Sequence, residues 1–355
     1  MRERAAHVVA IVGRFVVAAG LLSLAVLVVG SLGAGSIVGG SASVAGASSR
    51  AKSACSARSI KGSEVLELQL GLARSSLGGL PTVAVCIDGK GPYRFLVSTG
   101  SGSSVVVPAL ARSLHLGKGD RTAIRGVTCV TSAQTVKVSN WSMSGLRLSP
   151  QELLVAKVPR DQLSTAPRGI IGSDVLARFG SVRIDYRAHR LMLLGSEGAP
   201  PKGNLYVLGQ AKAAVPSGLA AGKVELAASL RVFESPQGTI VAAPVKIGGH
   251  TEQLAVDTGS AGSGLVPAVA TSLKLGTRGH KASFSGVGCR GEAPTYSSGA
   301  WSLGGSALPS ASLVARRIAG SVNGGLQGVL GSNVLSADGS VIVDYAGAHL
   351  WLVKG

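Results

Sequence analysis

The chain repeats itself once, and that constrains its fold more than any other feature. Phe95-Leu96-Val97-Ser98-Thr99-Gly100-Ser101 returns as Leu254-Ala255-Val256-Asp257-Thr258-Gly259-Ser260, 159 positions later. Gly169-Ile170-Ile171-Gly172-Ser173-Asp174 returns at the same offset as Gly328-Val329-Leu330-Gly331-Ser332-Asn333, and Ile184-Asp185-Tyr186 as Val343-Asp344-Tyr345. Cys129 and Cys289, and Trp141 and Trp301, stand one residue further apart, as a single loop insertion would give. A period this long, present only twice, excludes a solenoid. It predicts two equivalent lobes related by a pseudo-twofold axis, like a fused homodimer. The expected division is an amino-terminal segment over 1–47, a tether over 48–62, a first lobe over 63–196, a linker rich in Pro, Gly, Ala and Lys over 197–222, and a second lobe over 223–355.

Each copy reads as short strands. Hydrophobic residues make up 46% of the 355 but aromatics only 4%, so Val, Leu, Ile and Ala must fill the core. With 51 glycines and no three-residue period, collagen and a long helical bundle are both excluded. Low charge density excludes an intrinsically disordered chain. Thr82–Asp88, a Gly89-Lys90-Gly91-Pro92 turn and Tyr93–Val97 read as a hairpin; Thr239–Ile247, Gly248-Gly249 and Gln253–Val256 read as its copy. Pro108–Leu116 and Pro267–Leu275 are the helix candidates, each opening on proline. Each precedes a hairpin whose first strand is expected to end at Cys129 or Cys289. The class is all-β with short helices.

An apolar-apolar-Asp-Thr-Gly-Ser loop, a short helix, a hairpin, then apolar-apolar-Gly and an Asp-Tyr strand resembles the retropepsin-like aspartic peptidase module. Two copies in one chain resemble the bilobal, pepsin-like arrangement, over residues 63–355. The resemblance implies a cleft between the lobes with both Thr-Gly loops on its floor, Ser98 to Ser101 and Asp257 to Ser260. Ile170-Ile171-Gly172 and Val329-Leu330-Gly331 would pack around those loops, and the hairpins bearing Cys129 and Cys289 would be flaps. It implies a peptide or protein substrate and no cofactor or metal.

One departure bears on the chemistry. In such a site two carboxylates a few ångströms apart share a proton, so that one is acid while the other activates water. Here the second copy keeps Asp257, but the first reads Ser98-Thr99-Gly100. A serine hydroxyl cannot share a proton as a carboxylate does, and no histidine stands where a base for Ser98 would be. Ser98 is expected to be a structural hydroxyl bonded to Asp257. Two functions follow: an aspartic endopeptidase working through Asp257, in one chain or in a homodimer that brings two copies of Asp257 together; or an inactive homologue that binds a peptide or envelope partner. Asp185 and Asp344 recur as a second carboxylate pair but read as strand-end structure, and Trp141 and Trp301 as packing.

The amino terminus sets the expected compartment. Arg2, Arg4 and Arg14 precede an uncharged stretch reaching Arg50, with residues 15–38 apolar enough for a signal peptide or a membrane anchor. Ala45-Gly46-Ala47 offers a small-residue cleavage pattern. Both readings put the body outside the cytoplasm, either secreted or held at the cell membrane. The four cysteines suit such a compartment and lack CxxC spacing; three pairings are open, one of which would bridge Cys129 to Cys289 at the flap tips. Cys55 lies too far from the apolar run to take a lipid. Net charge is +18, yet basic residues never run more than two together, which argues against a nucleic-acid surface.

Overall fold

The computed structural model describes residues 55–57, 65–75, 77–125, 130–158, 165–195, 197–198, 214–220, 222–235, 238–316, 318 and 325–355. The apolar segment over 15–38 lies outside them. Among the described residues no helix is long and apolar enough to cross a membrane.

Two ten-stranded sheets of matching strand order form the lobes, and a six-stranded sheet joins them. Each lobe is built around a long hairpin. Gly78–Ile87 turns at Asp88-Gly89 into Lys90–Val97, and Gly238–Ile247 turns at Gly248-Gly249 into His250–Asp257. The first turn is therefore tighter than the Gly89–Pro92 turn expected from sequence. Asp88 and Gly89 both take positive φ (51° and 71°), which suits a two-residue hairpin turn and leaves Lys90, Gly91 and Pro92 in the returning strand. The helices are shorter than expected, Pro108–Ser113 and Pro267–Ser272. Just beyond them, His115 and Lys274 turn to φ of 54° and 50°, which ends each helix.

Later in each copy a strand returns parallel to the hairpin. Gly169–Ile171 pairs with Phe95–Val97, and Leu326–Gly331 pairs with Gln253–Asp257. These pairings place each apolar-apolar-Gly motif beside the loop that follows the hairpin. The hairpins expected as flaps are Lys118–Arg125 with Val130–Val138, and Thr277–Gly286 with Cys289–Ser297. Cys289 thus opens the returning strand rather than closing the first. Cys129 and the Cys289 side chain lie outside the described residues, and so does the bridge that one of the three pairings would make between them. Cys55, in the expected tether, is bonded to Cys86 of the first hairpin. Its sulfur is used there, which agrees with its exclusion as a lipid site.

The joining sheet runs Val65–Gln69, Arg190–Leu194, Ser181–Asp185, Gly339–Asp344, His349–Lys354, Lys223–Ser229, three strands from each side of the repeat. Its central pairing, Ser181–Asp185 against Gly339–Asp344, crosses between the copies. Gly339–Asp344 is buried along its whole length. Val85, Phe95 and Trp141 of the first lobe share one continuous core with Val245, Leu254 and Trp301 of the second and with Ile184 and Val341 of the joining sheet. Each such side chain, fully buried, contributes about 1.5–3 kcal/mol, so the core couples the lobes as well as filling them. On the other face, Leu219, just before the second lobe's first strand, packs against Ile342, Trp351 and Val353.

Candidate active site

The structure brings the two loops together. Thr99 and Thr258 are fully buried and bond reciprocally across the lobes. Thr99 Oγ1 donates to the Val256 carbonyl at 2.8 Å and accepts from Thr258 N at 3.2 Å. Thr258 Oγ1 donates to the Val97 carbonyl at 2.9 Å and accepts from Thr99 N at 3.2 Å. Four backbone groups that would otherwise be orphaned are thereby satisfied.

That lattice sets Ser98 against Asp257. Ser98 Oγ donates to Asp257 Oδ1 at 2.8 Å, and the same oxygen accepts Gly259 N at 2.8 Å. Ser101 N donates to Ser98 Oγ at 3.1 Å. The glycines permit the approach: a Cβ at Gly100 would fall 2.5 Å from Asp257 Cγ, and one at Gly259 would fall 2.5 Å from Ser98 Cβ. The expected hydroxyl-to-carboxylate bond is present.

The apolar-apolar-Gly motifs pack beside the loops as expected. Ile170, Ile171, Val329 and Leu330 are buried. A Cβ at Gly172 would lie 2.7 Å from the Ser101 carbonyl oxygen, and one at Gly331 2.6 Å from that of Gly262. Ser173 N and Ser332 N then donate to the carbonyls of Ser101 and Ser260, both at 2.8 Å.

Asp185 and Asp344 hold the joining sheet. Asp185 takes Arg183 Nη2 at 3.0 Å and Ala188 N at 2.7 Å, and Asp344 takes Ser181 Oγ at 2.9 Å and Gly347 N at 2.9 Å. Trp141 and Trp301 are buried, each donating its ring N–H to a backbone carbonyl, at Ser149 and Pro309.

Several groups around the loops carry no motif of their own. Arg316 is 7% exposed, and its Nη2 donates to Ser260 Oγ at 3.2 Å. Burial pulls its basicity down while the Asp257 charge supports it. The equivalent place in the first lobe is Ala156: Arg316 N bonds the Leu265 carbonyl as Ala156 N bonds that of Val106. Asp174 receives Ser104 N at 2.9 Å, Ser104 Oγ at 2.7 Å and Gln151 Nε2 at 3.1 Å. Desolvation still pushes its carboxyl up to about 6, against those bonds and the Arg178 charge. Its counterpart is the neutral Asn333, which accepts Ser263 Oγ at 2.9 Å. Tyr186 and Tyr345 are both buried, and burial pushes both phenols up. The Tyr186 hydroxyl is 3.1 Å from Ser332 Oγ, whereas that of Tyr345 has no partner among the described residues.

A cavity opens beside the Asp257 loop. Its floor is Gly259 to Gly262 with Arg316, its side is Leu77, Leu80 and Leu96 of the first lobe, and its roof is Ser283 to Ser285 of the second flap hairpin. That hairpin also reaches the first lobe, Gly288 N donating to the Lys157 carbonyl at 3.0 Å.

Residues 83–175, from the first hairpin through the apolar-apolar-Gly motif, match the family model for aspartyl protease. Over those residues the chain resembles an aspartyl protease. Two solved structures are similar to the chain. An aspartic proteinase from Irpex lacteus aligns over 82% of this chain and 97% of its own at 12% identity, with a TM-score of 0.43. A retropepsin-like aspartic protease from Rickettsia conorii aligns over 38% of this chain and 94% of its own at 18% identity, with a TM-score of 0.28. No curated protein sequence matches. The residues around the loops that sequence reasoning missed are Arg316, Asp174 and the two tyrosines. Aligning the copies position by position would have exposed the first two, since Ala156 faces Arg316 and Asn333 faces Asp174.

Proposed function

We propose that this aspartic-protease-like chain binds an extended peptide segment between its lobes and hydrolyses it slowly or not at all. The observation that carries the reading is the 2.8 Å bond from Ser98 Oγ to Asp257 Oδ1. With Ser98 donating, the pair bears the single negative charge of a dyad that shares one proton. The resemblance ends at proton transfer. Asp257 can take a proton from water, but Ser98 cannot give one to the carbonyl oxygen in the same step, because its hydroxyl is far too weak an acid. Losing that assistance costs on the order of 10²–10⁴ in rate.

The second reading, a functioning peptidase, is favoured by the intact threonine lattice and the glycine approaches, which still present Asp257 in the loop frame. A homodimer bringing two copies of Asp257 together would first have to break the Thr99–Thr258 bonds within each chain. The export reading is supported by the Cys55–Cys86 disulfide, which suits an oxidising compartment. Residues 15–38 would then be the signal peptide or the anchor.

Hydrolysis of an unfolded, alkylated protein between pH 3 and 7 tests the proposal. The native chain is expected to stay near background and Ser98→Asp to gain cleavage. Cleavage by the native chain that Asp257→Asn abolishes would establish the peptidase reading instead.

A further inference from the structure

Arg316 is a buried cation with unused hydrogen-bonding capacity. Its Nη2 reaches Ser260 Oγ, while its Nε is enclosed and has no partner. The charged group facing it is Asp257, whose Oδ1 is already engaged by Ser98 and Gly259. A buried donor left bare is costly, more so on a charged group. Arg316 lines the cavity beside the loop, which has a volume of about 60 Å³. At about 10–15 Å³ per water this is room for roughly four or five non-hydrogen atoms, the size of a short acidic side chain. Leu77 and Leu80 on one side and Phe284 above give it apolar walls. Such apolar groups lower the local dielectric and strengthen a charge pair formed beside them.

We propose that Arg316 receives the side-chain carboxylate of a Glu or Asp in the bound peptide, making the subsite beside the Asp257 loop selective for an acidic residue. A guanidinium offers a planar fork that matches a carboxylate, and a neutral or apolar occupant would leave that fork unmet. At the equivalent position the first lobe carries the uncharged Ala156. The inference rests on the peptide-binding reading and adds what the peptide must carry.

The test uses the full chain and two pools of end-capped decapeptides. The pools are identical except that one fixed position is Glu in one and Gln in the other, among randomised neutral residues. The Glu pool is expected to bind about tenfold or more tightly, the value of a hydrogen bond to a charged group. Arg316→Met should erase that preference, and Arg316→Lys should restore part of it. Lowering the pH through the glutamate range near 4.3 should erase the preference in the native chain as well, which needs no variant to fold. Equal binding of both pools, or a preference that survives Arg316→Met or acid, overturns the acid-selective subsite and leaves the peptide cleft standing. Binding of neither pool overturns both.

Discussion

In the second lobe the strand His250–Asp257 delivers a carboxylate to the meeting point of the loops, while in the first Lys90–Val97 leads to the hydroxyl of Ser98. The frames around them are alike: reciprocal threonine bonds, glycines where the side chains approach, and apolar-apolar-Gly strands alongside. Three of the differences change the charge near the loops. Ser98 faces Asp257, Ala156 corresponds to Arg316, and Asp174 corresponds to Asn333. Scaffold and chemistry are therefore separable here, with the frame held by both copies and the charge at the loops placed in one.

The sharpest way to break the comparison is to make the lobes equal. Ser98→Asp supplies a second carboxyl and is expected to raise peptide hydrolysis at acid pH by on the order of 10²–10⁴. A folded Ser98→Asp variant with no gain would mean that the loop frame lacks more than an acid. Next in size is the lattice. Thr258→Val strands the Val97 carbonyl and Thr99 N, at about 1–3 kcal/mol each. Thr99→Val should cost about the same, and urea unfolding that shows unequal losses would reveal one lobe leaning on the other.

A third test exchanges a carboxyl for the neutral group of the opposite lobe. Asp174 holds its proton up to about pH 6 in the folded chain, against an ordinary 3.8. The native state therefore binds more protons than the unfolded chain between about pH 4 and 6, and stability falls as pH rises through that window. The loss is on the order of 1–3 kcal/mol and is complete above it. Asp174→Asn should flatten that part of the curve, and urea midpoints at pH 4, 5, 6 and 7 check it. The smallest effect separates the tyrosines. Tyr186→Phe gives up the bond to Ser332 and should cost about 1 kcal/mol, whereas Tyr345→Phe removes an unpaired hydroxyl and should be neutral or stabilising in thermal melts.

The repeat made the two lobes, the Ser98–Asp257 encounter and the packing of both Gly172 and Gly331 legible, because a shared offset carries three-dimensional symmetry in one dimension. Arg316 was legible only as a difference between the copies, not as a buried cation. It follows a strand in a stretch without a motif, and a lone arginine reads as surface until its neighbours are known. Asp174 was visible inside the Gly-Ser-Asp motif, but its burial, and the Ser104 and Gln151 donors that meet it, come only with folding. Turn positions shifted for a local reason: Asp88 tolerates positive φ, so the first hairpin closes earlier than its glycines and proline suggest. The Cys55–Cys86 bridge joins a segment with no strand signal to a strand and could not be chosen among three pairings.

The seam between the copies has a mechanical consequence. Ser181–Asp185 lies hydrogen-bonded along Gly339–Asp344, so the halves cannot swing apart as two bodies on a hinge without unzipping a fully interior ladder. Traffic into and out of the groove must then pass by the bending of the overlying ribbons, and the tie between Gly288 and Lys157 is the latch such a movement would have to release.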